Sequence, residues 1–260
     1  MSCTIIMSFE KLIQRMEKSK ITYTPFFLSE QDKETFVNYV SYGTDETIKH
    51  WMTDGEIYGE LFLKFRSTRL SFEYIYILMN ESDEIARENL ERRFKPYRSY
   101  AFQPMRQGET LEVYAIQLYE RLTYQTVMKC KHMVNRRFPW LIAAPDGLVV
   151  SNGIIYKGIE IKSTSQLSSS KTKSLCMGAV VRKNCYEDYG VNKKCRTYCQ
   201  IQICMAITNL PKWDLIIYFR DHKIRVFEIM YDEKYINNCI TAASQNYFMY
   251  YLPKLTQVLQ

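Results

Sequence analysis

The spacing of apolar residues changes near the middle of the chain. The first hundred residues show the helical period, beginning with a capping pattern at Ser29 and Asp32. Residues 82–94 are rich in Glu and Arg, which predicts a solvated helix. A longer helix is predicted over residues 104–128. Its apolar stripe repeats at i, i+4, i+7 and i+11 and consists of Leu111, Ala115, Leu118 and Leu122.

Beyond that helix the apolar residues follow the pattern of strands. Residues 140–150 and 154–162 are apolar and rich in β-branched residues, and Asn152-Gly153 between them predicts a β-hairpin. Residues 163–196 are polar and basic and are predicted to be irregular. The remaining chain is predicted to form a helix over 197–207 and a second hairpin with strands at 215–219 and 224–229. A last helix is predicted over 232–252 and is ended by Pro253.

The order of these elements predicts an α/β fold, with a mixed sheet between helices and a helical N-terminal region. We find neither an internal repeat nor a linker rich in Gly, Ser or Pro. We therefore expect a single domain over residues 1–260, with a helical layer over 1–100 and a core over 101–260.

Composition excludes several classes of protein. Of 260 residues, 47% are hydrophobic and 24% charged, with only 9 Gly and 7 Pro, so disordered and collagen-like chains are excluded. No apolar run reaches the ~18 residues of a membrane span, and the first residues lack a signal-peptide pattern. The cysteines form no C-x-x-C pair, so we expect reduced thiols in an intracellular protein. The net charge of +7 is moderate and is compatible with an anionic partner, but it is not evidence of one.

The return strand of the first hairpin carries the chemistry. Strand alternation puts Glu160 and Lys162 on one face and Ile159 and Ile161 on the other. If the two strands pair, Asp146 lies near Glu160. Two carboxylates repel unless a cation or a proton lies between them. Hard oxygen ligands favour Mg²⁺ or Mn²⁺, which assist phosphodiester hydrolysis, and an adjacent lysine can orient water.

Two helices carry further polar candidates. Gly108 and Glu112 form a G-x-x-x-E pattern in the long helix, and Glu112 lies just off the apolar stripe. Gln200 and Gln202 lie two residues apart in a largely apolar helix, so they cannot share a face. At least one of the two amides is therefore expected to face the cleft or the sheet edge.

Four segments carry these candidates, namely residues 108–112, 145–147, 160–162 and 200–202. In this order they resemble the PD-(D/E)xK nuclease superfamily. More narrowly, they resemble its lambda-exonuclease or YqaJ branch, which includes viral alkaline exonucleases. The resemblance spans about residues 60–252. It implies a restriction-endonuclease-like core, a mixed central β-sheet flanked by helices.

The resemblance also implies roles for individual residues. Asp146, Glu160, the backbone carbonyl of Ile161 and Glu112 would ligate two divalent ions, Mg²⁺ or Mn²⁺. Lys162 would position or activate the attacking water. Gln200 would support the lysine, with Gln202 as the alternative.

Basic and aromatic residues are predicted to contact nucleic acid. Residues 66–71 resemble the family segment that contacts the 5′ phosphate end. Basic residues also lie before the hairpin and after its lysine. The predicted contacts are Arg66, Arg69, Ser71, Arg136, Arg137, Lys171, Lys173, Lys193, Lys194, Arg196 and Tyr198.

The family resemblance implies 5′-to-3′ digestion of one strand from a double-stranded DNA end. This activity would serve recombination, repair or viral genome processing. Implied partners are DNA, a single-strand annealing protein and further copies of the chain, since family members form a ring-shaped trimer; no membrane is expected. If the protein is viral, either the host nucleus or the cytoplasm fits. Two alternatives remain open: an endonuclease or RNA-degrading nuclease on the same fold, and a non-catalytic DNA-binding module.

Overall fold

The computed structural model describes residues 3–41, 47, 49–50, 52, 66–94, 103–169, 174–176, 178–182 and 189–259. As far as these ranges extend, the N-terminal part is mainly helical, which agrees with the period of its apolar residues. The helices are α1 (Cys3–Met16), α2 (Glu30–Thr35) continued by a π-helical turn (Phe36–Val40), α3 (Phe72–Asn80) and α4 (Asp83–Arg93).

Within the described residues, the central sheet has five strands, in the spatial order β1 (Thr126–Met128), β4 (Gly147–Ser151), β5 (Ile154–Thr164), β9 (Lys212–Phe219) and β10 (Ile224–Met230). Neighbouring strands run antiparallel except for β5 and β9, which are parallel. The prediction of a mixed sheet is therefore confirmed. The chain crosses from β5 to β9 through α6 (Arg196–Thr208). Because β5 and β9 are parallel, their C-terminal ends lie at the same edge of the sheet.

Helices cover both faces of the sheet. One face packs against α5 (Gln103–Thr123), where Ala115 and Tyr119 meet Ile159, Ile161 and residues of β4 and β9. The other face packs against the larger core, which includes the fully buried helix α6 and the N-terminal helices. Glu160 and Lys162 point to this second face, because strand alternation puts them opposite Ile159 and Ile161.

The strand predicted over 140–150 is wrong as a single element. The structure divides it into β3 (Phe138–Ala143), which pairs with β2 (Met133–Asn135) in a separate sheet, and β4. The break falls at Ala144–Asp146, where Pro145 has no N–H to continue a ladder. Asp146 thus stands at the start of β4.

Three other predicted boundaries are also corrected. The long helix ends at Thr123, since Tyr124 adopts a left-handed φ of 55° and β1 follows. The segment predicted to be irregular contains the end of β5 and a small sheet of β6 (Ser174–Leu175), β7 (Val180–Arg182) and β8 (Tyr189–Val191). Pro253 does not end the last helix.

The C-terminal helices explain how that proline is accommodated. Helix α7 (Glu233–Asn246) continues through a π-helical turn (Tyr247–Tyr251) into α8 (Leu252–Leu259). Pro253 directly follows the π-helical turn, in which the N–H of Leu252 donates to the carbonyl of Tyr247, so the proline enters where the helical hydrogen-bond pattern is already irregular. In the part of the chain that the structure describes, no helix is long and apolar enough to cross a membrane.

Candidate active site

A β-bulge in the β4–β5 hairpin sets the position of the acidic residues. Asn152 and Gly153 form the turn with φ of 50° and 70°, and Ser151 pairs with Ile154. The register then shifts between Val149 and Val150, so that Gly147 pairs with Ile159. Asp146, one residue earlier, is therefore level with Glu160, and both side chains lie on the face covered by α6.

Glu160 is buried within the sheet and is only 1% exposed. Its Oε1 atom accepts a hydrogen bond of 2.6 Å from Nζ of Lys162. Its Oε2 atom is buried and has no hydrogen-bond partner among the described residues. Burial raises the pKa of the Glu160 carboxyl, and the Lys162 ammonium offsets part of that shift.

Asp146 is held by the backbone of the opposite strand. Its Oδ2 atom accepts a hydrogen bond of 2.6 Å from the N–H of Ile161. Burial, and then the nearby charge of Glu160, raise the pKa of Asp146 to about 8, although the Ile161 N–H, Lys162 and Lys129 act in the opposite direction. The two carboxyls therefore resist being charged together unless a cation joins them.

Lys162 faces these carboxylates from the end of β5. Its side chain is 32% exposed, so the ammonium reaches the surface of the cleft. Burial opposes its charged form, but Glu160 and Asp146 outweigh burial, and the pKa of Lys162 is raised. The ammonium is consequently charged at neutral pH and can donate hydrogen bonds into the cleft.

Two helices complete the cluster. From α6, Gln200 accepts a long hydrogen bond of 3.4 Å from Lys162 and offsets a small part of the rise in the pKa of Glu160. From α5, Glu112 lies close enough to raise the pKa of Glu160, and it pairs with Lys129 at 3.7 Å. The structure thus brings together Glu112, Asp146, Glu160, Lys162 and Gln200, which form the acidic cluster of the candidate site.

Gln202 lies elsewhere. Its Nε2 atom donates to the carbonyl of Met230 at 2.9 Å, and its Oε1 atom accepts from the N–H of Asp232 at 3.0 Å. These bonds join α6 to the start of α7. Of the two glutamines, only Gln200 contacts the acidic cluster.

The donor set of the cluster fits a hard divalent cation. As the side chains stand, no group of three or more His, Cys, Asp or Glu residues within the described ranges is arranged to hold a metal ion. The fit depends on two carboxylates that are level with each other and on the unpartnered Oε2 of Glu160, because a buried oxygen without a donor favours a cation. Glu112 pairs instead with the exposed Lys129.

The predicted nucleic-acid contacts divide into three groups. Arg66, Arg136, Arg137, Lys193, Lys194 and Arg196 are exposed, and Ser71 is half-buried at the start of α3. Lys193 forms an ion pair with Asp232 at 2.9 Å, and Arg137 donates to the carbonyl of Glu17. Lys171 and Lys173 lie outside the described residues.

Arg69 and Tyr198 have structural positions, and their placement contradicts a direct contact with DNA. Arg69 is 1% exposed and donates to the carbonyl of Val40 at 2.8 Å. Its segment is packed beneath the C-terminal π-helical turn, since Tyr247 donates to the carbonyl of Thr68. Tyr198 is buried, and its hydroxyl donates to Asp232.

One residue beside the cluster has no recognisable signal in the sequence. Cys176, in the turn directly after β6, places its Sγ atom 3.7 Å from the carbonyl oxygens of Lys162 and Ser163. No spacing pattern links a cysteine in a polar segment to a strand that ends more than ten residues earlier. Only the folded small sheet places this thiol beside the end of β5.

Comparisons with known proteins agree with this geometry. The chain matches the model of the YqaJ-like viral recombinase domain over residues 65–211, more than half of its length. It resembles the crystal structure of an alkaline exonuclease from Laribacter hongkongensis, with 18% sequence identity, a TM-score of 0.51 and coverage of 75% of this chain and 92% of that chain. The structure of that exonuclease in complex with dAMP matches with the same values. No curated protein matches the sequence significantly.

The structural likeness confirms the predicted fold, a mixed sheet flanked by helices as in the alkaline exonuclease. The family match spans α3, α5, the β4–β5 hairpin and α6, and hence every element that supplies a residue to the acidic cluster. The chain therefore belongs to the family of the YqaJ-like viral recombinase domain.

Proposed function

We propose that the protein is a divalent-metal-dependent exodeoxyribonuclease. It would digest one strand of a double-stranded DNA end in the 5′-to-3′ direction, releasing 5′-mononucleotides and leaving a 3′ overhang. Such overhangs serve recombination, repair or the processing of viral genomes inside the cell. The observation that carries the proposal is the cluster of Asp146, Glu160 and Lys162 at one edge of the sheet, with Oε2 of Glu160 buried and unpartnered.

The chain's own residues would hold the metal. Asp146, Glu160 and the carbonyl of Ile161 would be ligands for Mg²⁺ or Mn²⁺, and Glu112 would contribute from α5 once it leaves Lys129. We propose two ions. When bound, they would neutralise charge on the phosphate and lower the pKa of a coordinated water.

Lys162 and Gln200 would act on the reacting groups. The Lys162 ammonium, held by Glu160 at 2.6 Å, has donors left to orient the attacking water or to stabilise negative charge on the phosphate. Gln200 limits the rotation of this ammonium through its Oε1 atom. Burial of Glu160 keeps the pair in a poorly solvated environment, where such charges act more strongly than in water.

The comparisons support a nucleotide substrate. The alkaline exonuclease of similar fold has been crystallised with dAMP, a deoxynucleoside monophosphate of the kind that the proposed reaction would release. The exposed basic residues of the chain are suited to a phosphate backbone. A single-strand annealing protein and a homo-trimer are further proposals, which the family resemblance supports.

Digestion of DNA with and without free ends tests the proposal. A 5′-labelled linear duplex and a covalently closed circle are incubated with Mg²⁺ or with EDTA. Wild type, Lys162→Ala and the remote control Lys18→Ala are compared. We expect Mg²⁺-dependent loss of the linear duplex alone, by wild type and control but not by Lys162→Ala.

The other outcomes separate the alternatives. Cleavage of both DNAs would identify an endonuclease that uses the same residues. A labelled RNA is incubated in parallel, and cleavage of this RNA but of neither DNA would identify an RNA-degrading nuclease. Binding of DNA without cleavage of any substrate, with Asp146→Ala identical to wild type in every assay, would identify a non-catalytic binding module.

A further inference from the structure

The turn between β9 and β10 lies at the same sheet edge as Lys162. Because β5 and β9 are parallel, Lys162 pairs with Ile217 and Thr164 with Phe219. Arg220 follows directly, so the turn of residues 220–223 projects from the edge where the acidic cluster opens. At about 3.3 Å per residue, Arg220 is roughly 10 Å along the strand direction from the level of Lys162.

Hydrogen bonds join this turn to the segment that follows β5, at residues 166–168. Asp221 accepts from both the N–H and the hydroxyl of Ser168, at 2.9 and 2.5 Å. Arg225 donates to the carbonyl of Ser168 at 2.8 Å, and the N–H of Arg220 donates to the carbonyl of Gln166 at 3.0 Å. The segment after β5 and the β9–β10 turn therefore form one fixed surface.

The exposed part of this surface is basic. Arg220, His222 and Lys223 are all exposed, and the Lys223 side chain is 68% exposed. The one acidic residue of the turn, Asp221, directs its carboxylate to Ser168, and Lys223 lies 3.5 Å from it. His222 is held in a left-handed conformation with φ of 56°, and its ring bonds to the Tyr218 hydroxyl at 2.7 Å. The cationic side chains are thus presented on a rigid base.

We propose that the β9–β10 turn is a binding site for the DNA backbone, in which Arg220 and Lys223 contact phosphates next to the phosphodiester held at Lys162. This inference rests on the proposed function and specifies how the substrate is gripped. Consecutive phosphates of one strand are spaced closely enough for a neighbour of the scissile group to reach Arg220. A fixed turn loses little entropy when it binds, so these contacts raise affinity at low cost.

Salt dependence of DNA binding tests the site. A fluorescent duplex is titrated by anisotropy between 50 and about 200 mM salt. Binding is measured in the Lys162→Ala background, so that it does not depend on cleavage. Arg220→Ala/Lys223→Ala is compared with Lys18→Ala/Lys20→Ala, a pair of equal charge beside the opposite end of β9, near Pro211.

We expect the β9–β10 double variant to make the negative slope of log K against log[salt] about 2 smaller in magnitude and to weaken binding roughly tenfold or more. The remote pair should leave both quantities unchanged. In the active enzyme the same double variant raises KM for DNA and leaves kcat unchanged. Arg220→Lys/Lys223→Arg retains the wild-type slope, and thermal unfolding of every variant matches its parent.

Equal slopes and affinities for the two double variants would overturn the site. A protein that binds DNA with this slope change but cuts no substrate would overturn the proposed function and leave the site standing. The two failures are therefore distinguishable.

Discussion

The carboxylate of Asp146 accepts a hydrogen bond of 2.6 Å from the backbone N–H of Ile161, the residue between Glu160 and Lys162. This bond joins the start of β4 to the middle of β5. It holds two carboxyls at one level on one face of the hairpin, where neither is charged easily without a cation. A costly juxtaposition of this kind persists when function requires it.

The raised pKa of Asp146 predicts how stability depends on pH. In the folded chain this pKa is about 8, above its value of 3.8 in an unfolded chain, so the folded state binds more protons between these values. In EDTA, the contribution of Asp146 to stability is therefore fully present below the unfolded pKa and is lost as pH rises through about 8. We expect Asp146→Asn to flatten this fall and to be more stable than wild type at pH 8.

Urea unfolding from pH 5 to 9 measures the effect. The asparagine can still accept the Ile161 hydrogen bond, so the comparison isolates the titration. Parallel pH profiles for the two proteins would contradict the prediction.

The two glutamines of α6 predict opposite phenotypes. Gln200→Leu removes an amide that contacts Lys162, so activity falls about 10- to 100-fold with little change in stability. Gln202→Leu leaves the carbonyl of Met230 and the N–H of Asp232 without partners, so stability falls by about 2–3 kcal/mol. Steady-state kinetics and urea unfolding of both variants measure the two effects. A large loss of kcat in a stable Gln202→Leu variant would contradict the assignment of Gln202 to a structural role.

A buried ion pair predicts a non-additive mutational cycle. Nζ of Lys157 lies 2.5 Å from Oδ2 of Asp214, and the Tyr119 hydroxyl donates to the same oxygen at 2.6 Å. Lys157→Met leaves a charge without its ion-pair partner and should cost about 3–5 kcal/mol. Lys157→Met/Asp214→Leu should recover much of that loss. Additive costs in urea unfolding would contradict a coupled pair.

Gly158 predicts a steric cost in the centre of the sheet. A Cβ atom at this position would collide with the Trp213 ring on the paired strand β9. We expect Gly158→Ala to destabilise the fold by about 1–3 kcal/mol, with partial recovery in Gly158→Ala/Trp213→Phe. Urea unfolding of the two variants and of Trp213→Phe alone measures the recovery; its absence would show that the ring is not the obstacle.

Part of this site could be predicted from the sequence. Period-two alternation placed Glu160 and Lys162 together, and the Asn152-Gly153 turn predicted the hairpin; the structure has both features. The expected proximity of Asp146 to Glu160 is also present, but it depends on a bulge that the sequence does not indicate. Counting back from the Ser151–Ile154 pair without it places Asp146 opposite Ile159, on the face covered by α5.

Burial explains why two residues predicted to contact nucleic acid are not available to it. Arg69 reads as an exposed cation in the sequence, but the C-terminal π-helical turn encloses its segment, and this contact joins residues about 180 positions apart. Tyr198 likewise reads as a stacking residue, but packing against α7 buries it beside Asp232. Local patterns cannot predict contacts that only the tertiary fold creates.

Mn²⁺ binding is the most direct test of the central claim, that Asp146 and Glu160 form a divalent-metal site, since it requires no assumption about substrate. Free Mn²⁺ is followed by electron paramagnetic resonance during titration of wild type, Asp146→Asn, Glu160→Gln and the remote control Lys18→Ala at pH 8. We predict saturable binding by wild type and control and at least tenfold weaker binding by the two site variants. Equal binding by all four proteins, or none by wild type, would contradict the account.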